Sequence, residues 1–338
     1  MSEIRVAIMG SGSWGTAFGM VLADAGCEVL MWSREKGVAR QINEEHLNAR
    51  YHPGITLPAN LHATTSWAKA LAGASIVVLA VPAQSLRANL ESWEADLSGG
   101  SVLVSLMKGI ELGTSMRMSE VIAEVTGIDP GRIAVISGPN LAGEIARRQP
   151  TATTVACAEE TSALALQEAC TTDYFRPYWT NDVVGTEIGG AVKNVIALAN
   201  GIAVGMGLGE NSQASLITRG LAEMARLGVA LGADPLTFQG LAGVGDLVAT
   251  CQSPLSRNRS FGENLGRGLS IEQTIEVTKQ TCEGYKSCQP ILELARLHNV
   301  EMPITEQVVA VLHHGQSPKM MASAFMSRDT KRESSLAP

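Results

Sequence analysis

Arg5-Val6-Ala7-Ile8-Met9-Gly10-Ser11-Gly12-Ser13-Trp14-Gly15 decides how this chain is read. A short apolar run enters G-x-G-x-x-G directly, and a helix-like stretch, 16–25, follows. Such a strand, tight turn and helix, with the helix opening at about Ser13, form a cradle for a pyrophosphate. Glycine at Gly10, Gly12 and Gly15 lets the backbone turn and come close to the phosphates, and the helix N-terminus presents N–H groups and positive potential. G-x-G-x-x-G by itself is a weak signal; its place between two Val-containing runs makes it stronger. The fingerprint expects an acidic residue about 20 positions on, gripping a ribose 2′-hydroxyl. Here the second run, 28–32, continues into Ser33-Arg34 with no carboxylate at its tip. Arg34 suits a 2′-phosphate or stacking on the adenine; the alternative is a solvated surface arginine.

Working outward, the runs 5–9, 28–32, 76–81, 102–106 and 133–136 are short, apolar and closed by Gly, Pro, Ser or Lys. Runs of this kind predict fully buried strands of a parallel sheet. Helix-like stretches such as 86–93 alternate with them, which implies a doubly wound α/β domain. Residues 153–156 and 175–179 extend the sheet. After about Asp182 the strand signals stop, and 186–203, 213–231, 271–278, 287–298 and 305–313 are helix-like. The expected layout is α/β: an N-terminal Rossmann-type parallel-sheet domain over 1–182, an all-helical domain over 183–326, and a polar tail over 327–338.

The 338 residues are 45% hydrophobic and 17% charged, enough for a large core. A net charge of −7, from 26 basic and 33 acidic residues, comes without any basic stripe, so nucleic acid is not an expected partner. An anionic substrate would need positive charge focused locally, which draws attention to isolated Lys and Arg in glycine-rich segments. Six cysteines form no CxxC pair and no zinc spacing with histidine; the expectation is reduced thiols in a cytoplasmic protein with no metal. No membrane span and no signal peptide are expected.

Four downstream segments add to the glycine loop. They are Lys108-Gly109-Ile110-Glu111; Ser137-Gly138-Pro139; Glu187-Ile188-Gly189-Gly190-Ala191-Val192-Lys193-Asn194; and Gly240-Leu241-Ala242-Gly243-Val244-Gly245-Asp246-Leu247, followed by Ser256-Arg257-Asn258. Together the five motifs closely resemble the NAD(P)-dependent glycerol-3-phosphate dehydrogenases of the bacterial type, over 4 to about 326. The resemblance implies reversible reduction of dihydroxyacetone phosphate to sn-glycerol 3-phosphate, with NADP or NAD, to supply glycerophospholipid synthesis. It also implies an active site between the two domains, and a homodimer. By the same resemblance Ser13, Trp14, Arg34, Tyr51, Lys108, Ala142, Arg257, Thr281 and Glu283 line the cofactor. Lys108, Gly138, Asn140, Lys193, Asp246, Ser256, Arg257 and Asn258 line the substrate, and Lys193 matches the proton donor and acceptor. The family usually has a hydroxyl residue where this chain has Asn140, whose amide can still hydrogen-bond substrate. It usually has an apolar residue where this chain has Thr281.

The chemistry can be argued from the residues as well. A ketone accepting a hydride needs a group to stabilise and then protonate the developing alkoxide. The six histidines (46, 52, 62, 298, 313 and 314) lie outside every glycine-rich motif, which leaves the lysines. In a helix over 186–203, positions 186, 190, 193, 197 and 200 share a narrow polar face around Lys193. Burial would depress the Lys193 pKa and a nearby Asp246 would raise it; a snorkelling surface lysine is the alternative. Lys108 closes the fourth run at the C-terminal edge of the sheet, where ligands bind in open parallel sheets; a solvated lysine capping the strand is the alternative. Ser256-Arg257-Asn258 suits a phosphate; an ordinary helix start with solvated arginines is the equal alternative. Two-domain 2-ketopantoate reductases and 3-hydroxyacid dehydrogenases share the loop and a helix-borne lysine, but not the 240–246 and Ser256-Arg257-Asn258 segments. A nucleotide-sensing regulator would need neither Lys193 nor Asp246.

Overall fold

The apolar runs become strands, with one strand added. The computed structural model describes residues 4–278 and 282–327. Thr281 and residues 328–338 of the expected tail lie outside the described residues. Eight strands form one sheet: β1 Arg5–Met9, β2 Glu28–Trp32, β3 Leu61–Thr64, β4 Ile76–Leu79, β5 Val102–Ser105, β6 Ile133–Ser137, β7 Thr151–Cys157 and β8 Phe175–Thr180. Their order is β3-β2-β1-β4-β5-β6-β7-β8. The order reverses between β1 and β4, the switch point at which open α/β sheets open a crevice for ligands.

Two expectations need correcting here. β3 reads Leu-His-Ala-Thr, with leucine and alanine buried and histidine exposed. Such a short, half-polar segment gives no apolar run, so it escapes a search for one. The sheet is also not wholly parallel, because β7 runs antiparallel to β6. Between these strands the chain carries only the single helical turn Ala142–Ile145 before returning alongside; an antiparallel return needs no longer crossover helix.

The helices around the sheet are α1 Ser13–Asp24, α2 Lys36–Glu45, α3 Trp67–Leu71, α4 Leu86–Trp93, α5 Met118–Thr126, α6 Ala142–Ile145 and α7 Glu160–Ala169. The core is aliphatic, built on Val6, Ile8, Met31, Val78, Val104 and Ile136, with Phe18 and Phe175 among its few aromatics. Fully burying a side chain of this size contributes roughly 1.5–3 kcal/mol.

The later helices are α8 Val183–Gly205, α9 Glu210–Ala230, α10 Asp246–Gln252, α11 Arg257–Gly266, α12 Ile271–Thr278, α13 Glu283–Leu297, α14 Pro303–His313 and α15 Pro318–Met326. Contacts divide the chain into two compact units, and the division is not a single cut. The first unit comprises the described residues up to Met107 together with Met118–Val183; the second comprises Lys108–Arg117 and the chain from Val184 onward.

α8, at 23 residues, is the longest helix among the described residues. Among the described residues it alone is long and apolar enough to cross a membrane. It is a core helix nonetheless, buried from Gly185 to Ala203 with Glu187, Lys193, Asn194 and Asn200 among the buried residues. Charged and amide side chains can be buried this way only when they are paired. Other segments reach α8 at backbone distance through glycines. A Cβ on Gly262 of α11 would penetrate the Leu198 carbonyl oxygen, and one on Gly189 would penetrate that of Ala242.

Candidate active site

In the sheet unit the dinucleotide loop follows β1 directly. Gly10 has φ of 134°, a conformation open to glycine at little cost. A Cβ on Gly10 would enter the Ala80 carbonyl oxygen, just beyond β4, and one on Gly15 would enter that of Gly10. Nothing lies within 4 Å of the corresponding position on Gly12. Two glycines therefore close backbone on backbone, and the third leaves open space at the head of α1. That helix has no side-chain cap and no acidic residue in its first turn. Its first N–H groups and the positive end of its dipole are left for an anion, so the loop fits a pyrophosphate.

Around the loop, the Trp14 ring packs 5.5 Å from Phe18. Its Nε1 is buried with no hydrogen-bond partner among the described residues. Arg34 is exposed directly after Ser33. Tyr51 is half-buried beneath the Arg50 guanidinium, 5.5 Å from the ring centroid. Gly138 follows β6 with φ of 143°. Asn140 donates from its amide to Thr153 Oγ1 (2.9 Å), so one of its donors is already committed. Its Oδ1 is buried without a partner among the described residues. Ala142 opens α6.

The helical unit holds the charged cluster. Lys193 on α8 is 7% exposed. Its Nζ donates to Thr250 Oγ1 (2.8 Å) and lies 3.1 Å from Asp246 Oδ1, while Thr250 Oγ1 donates to the same Asp246 oxygen (3.1 Å). Lys108 Nζ meets the other oxygen, Asp246 Oδ2, at 2.5 Å. Burial pulls the Lys193 pKa down to about 8; Asp246 opposes that and Lys108 adds to it. Burial pushes the Asp246 carboxyl upward, but the two ammonium groups together outweigh it and hold the carboxyl below the usual carboxylate range. Two ammoniums on one carboxylate leave a net positive charge in a buried setting.

The sequence explains why these groups meet. Leu241–Gly245 forms a single wide π turn that leads into α10, so Asp246 and Thr250 stand one turn apart on one helix face. Gly189, one turn before Lys193, lets that wide turn press against α8. Lys108 arrives by a different route. β5 stops at Ser105, and Lys108 is not at a strand tip in the sheet unit but begins the Lys108–Arg117 excursion into the helical unit. There Ile110 is fully buried in the helical core and bridges Arg117. Arg117 Nη1 in turn pairs with Glu187 Oε2 of α8 at 2.7 Å.

Asn194, not singled out in the sequence reading, donates to the carbonyl oxygens of Lys108 and Gly190 (3.2 Å each). It accepts from Asn258 Nδ2 (2.8 Å), and Asn258 Oδ1 accepts from Gly284 N (2.9 Å). The Asn258 side chain is thus a buried brace between α8, α11 and α13. Ser256 caps α11, its Oγ accepting from Arg259 N (3.2 Å), and Arg257 beside it is exposed. Glu283 opens α13; burial pushes its pKa up, against the pull of Arg257 and Lys286. Sequence spacing missed Thr250 and Asn194. Thr250 was detectable as the residue four beyond Asp246, had a helix been expected to start there.

A doubly wound sheet with an anion-binding glycine loop, joined to a helical unit that buries a lysine against an aspartate, defines a two-domain NAD(P)-dependent dehydrogenase. Profiles for the N-terminal and C-terminal parts of NAD-dependent glycerol-3-phosphate dehydrogenase match residues 5–163 and 182–323. The chain belongs to the NAD-dependent glycerol-3-phosphate dehydrogenase family. It is 62% identical over 330 residues to glycerol-3-phosphate dehydrogenase (NAD(P)+) of Streptomyces griseus, covering 98% of each chain. It is 61% identical over 330 residues to the same-named protein of Thermobifida fusca, covering 97% of this chain and 98% of the relative. The crystal structure of glycerol-3-phosphate dehydrogenase from Coxiella burnetii superposes with a TM-score of 0.92 at 37% identity, covering 96% of this chain and 99% of that one.

Proposed function

We propose that this protein reduces dihydroxyacetone phosphate to sn-glycerol 3-phosphate, reversibly, with Lys193 as the proton donor and Arg257 as a phosphate ligand. The observation that carries the reading is the buried cluster of Lys193, Lys108, Asp246 and Thr250. NADPH or NADH, when bound, supplies the hydride. Everything else is assigned to the chain's own side chains. Lys193, with a pKa near 8, holds a transferable proton at neutral pH and is acidic enough to release it. Asp246 and Thr250 fix its ammonium in direction, and Lys108 supplies a second positive charge to favour an oxyanion.

At α11, Ser256 has satisfied the Arg259 N–H. The N–H groups of Arg257 and Asn258, together with the Arg257 guanidinium, are the donors we assign to the substrate phosphate. Asn258 then acts through its backbone, since its side chain is spent on Asn194 and Gly284. Gly138 and Asn140 are assigned to the substrate as well. Gly10, Gly12, Ser13, Trp14, Gly15, Arg34, Tyr51, Lys108, Ala142, Arg257 and Glu283 are assigned to the dinucleotide. We assign cytoplasmic localisation and a homodimer on the family resemblance; light scattering should give twice the 35.6 kDa chain mass. The test of function is NADPH and NADH oxidation with dihydroxyacetone phosphate, unphosphorylated dihydroxyacetone and ketopantoate. Turnover confined to dihydroxyacetone phosphate is expected; equal turnover of ketopantoate would overturn the assignment.

A further inference from the structure

Beneath the dinucleotide loop lies a layer of polar side chains that no role above uses. Residues 48–52 leave α2 and fold back under the head of α1. This short segment is tied down at its own level. Leu47 bridges Thr56, the N–H groups of Tyr51 and His52 both reach the Asn48 carbonyl (3.1 and 2.9 Å), and Gln41 Oε1 accepts from Ala49 N (3.1 Å). Two of its side chains point into the protein. Asn48 is 0% exposed and His52 is 3% exposed. Asn48 Nδ2 donates to the Ser11 carbonyl oxygen (3.1 Å) and to Thr16 Oγ1 (2.9 Å). His52 Nε2 lies 2.8 Å from the Ser13 carbonyl oxygen. A carbonyl can only accept, so Nε2 carries the hydrogen there. The two grips fall on either side of Gly12, the glycine with open space above it.

Peptide planarity turns this into an argument about function. In a trans peptide the C=O and the following N–H point in opposite directions. Holding the Ser11 carbonyl inward aims the Gly12 N–H outward, and holding the Ser13 carbonyl inward aims the Trp14 N–H the same way. Those are two of the donors that a pyrophosphate at the head of α1 would meet. Glycine at Gly10, Gly12 and Gly15 makes the loop able to adopt this shape, but glycine also makes other shapes cheap. The contacts of Gly10 and Gly15 and the start of α1 at Ser13 restrict the choice, and contacts from beneath add to the selection of one shape.

We infer that Asn48 and His52 are positioning residues for cofactor binding: from beneath, they lock the 11–14 backbone with its N–H groups facing the dinucleotide. The inference rests on the reading of this loop as the pyrophosphate site. It predicts a cost in cofactor affinity, because an unheld loop must be ordered each time the dinucleotide binds.

The test uses the full chain. NADPH binding is titrated calorimetrically, and kcat and the two KM values are measured for wild type, His52→Leu, His52→Gln and Asn48→Leu. Leucine keeps bulk and removes the donor; glutamine keeps an N–H that can reach a carbonyl. Loss of one buried orienting hydrogen bond should weaken NADPH about tenfold in His52→Leu and Asn48→Leu. KM for NADPH should rise with it, while kcat at saturating NADPH and KM for dihydroxyacetone phosphate change less than about threefold. His52→Gln should recover most of the loss. A merely structural role would lower thermal stability and raise both KM values together, and His52→Gln would not rescue selectively. NADPH affinity unchanged in both leucine variants, or an equal rise in both KM values, overturns the inference and leaves the assigned function standing. Failure of wild type to bind NADPH at all removes the loop's assignment and the inference with it.

Discussion

Lys193 is the residue we propose as the proton donor, and its surroundings fix the direction of the pH response that this proposal predicts. Its pKa is lowered from the ordinary lysine value to about 8, so it is protonated below that pH and neutral above. In the proposed reaction, reduction takes a proton from it. The kcat/KM for dihydroxyacetone phosphate reduction should therefore fall as pH rises through about 8, and glycerol 3-phosphate oxidation should rise over the same range. Lys193→Met should lose roughly 10²–10⁴-fold in turnover yet bind NADPH normally; a variant retaining a tenth of wild-type kcat would remove Lys193 from the mechanism. Arg34 allows a second prediction. It is exposed at the end of β2, where a carboxylate would repel a 2′-phosphate, so NADPH should be used at least as well as NADH. A rim charge is partly solvated, so the preference it sets should be modest, about 1–2 kcal/mol, between an exposed ion pair and a charge-assisted hydrogen bond, and should shrink as salt rises. Arg34→Ala should lose NADPH efficiency selectively in parallel kcat/KM measurements. Equal loss with both cofactors would point to stacking on the adenine instead. Lys193 was legible in the sequence because a lone cation on an apolar helix needs a reason to be there. Thr250 and Asn194 were not, because a threonine or an amide in a helix signals nothing until its partner across space is known.

At the level of elements, the strands were legible wherever burial on both faces leaves a continuous apolar run, as in β1, β4 and β6. β3 was not, since only every second residue is buried. The antiparallel return of β7 was hidden because strand direction is a property of connections, not of composition. α10 was concealed because it starts at the end of the glycine-rich motif 240–247. The glycines of that motif carry a prediction of their own. A methyl group on Gly189 has no room beside the Ala242 carbonyl, so Gly189→Ala must push the wide turn, and Asp246 after it, away from α8. Overpacking of this kind costs about 1–3 kcal/mol. Thermal denaturation should show that loss, with kcat falling further than stability alone explains. Full activity in a Gly189→Ala enzyme would mean that the turn can shift without moving Asp246.

At the scale of the whole molecule, the net charge of −7 opposes an anionic substrate and cofactor, and the chain answers by concentrating cations at a few buried or helix-end positions. In the sequence the strand signals end near residue 182, and the last passage between the two units falls at 183/184. The excursion at Lys108–Arg117 was not, since nothing in ten residues after a strand announces which core their isoleucine will join. That excursion makes the chain pass from one unit to the other three times, at 107/108, 117/118 and 183/184. Its consequence lies in how such genes can recombine. A single exchange between distant relatives at 183 would transfer α8 and Asp246 from one parent while leaving Lys108 and Arg117 with the other. The Arg117–Glu187 and Lys108–Asp246 pairs would then be made from partners that had never been selected together. Such a chimera should lose activity and thermal stability, and transplanting only residues 108–117 from the second parent should restore both. What looks in the gene like two modules in tandem is inherited as two modules and a ten-residue token that has to travel with the one it does not adjoin.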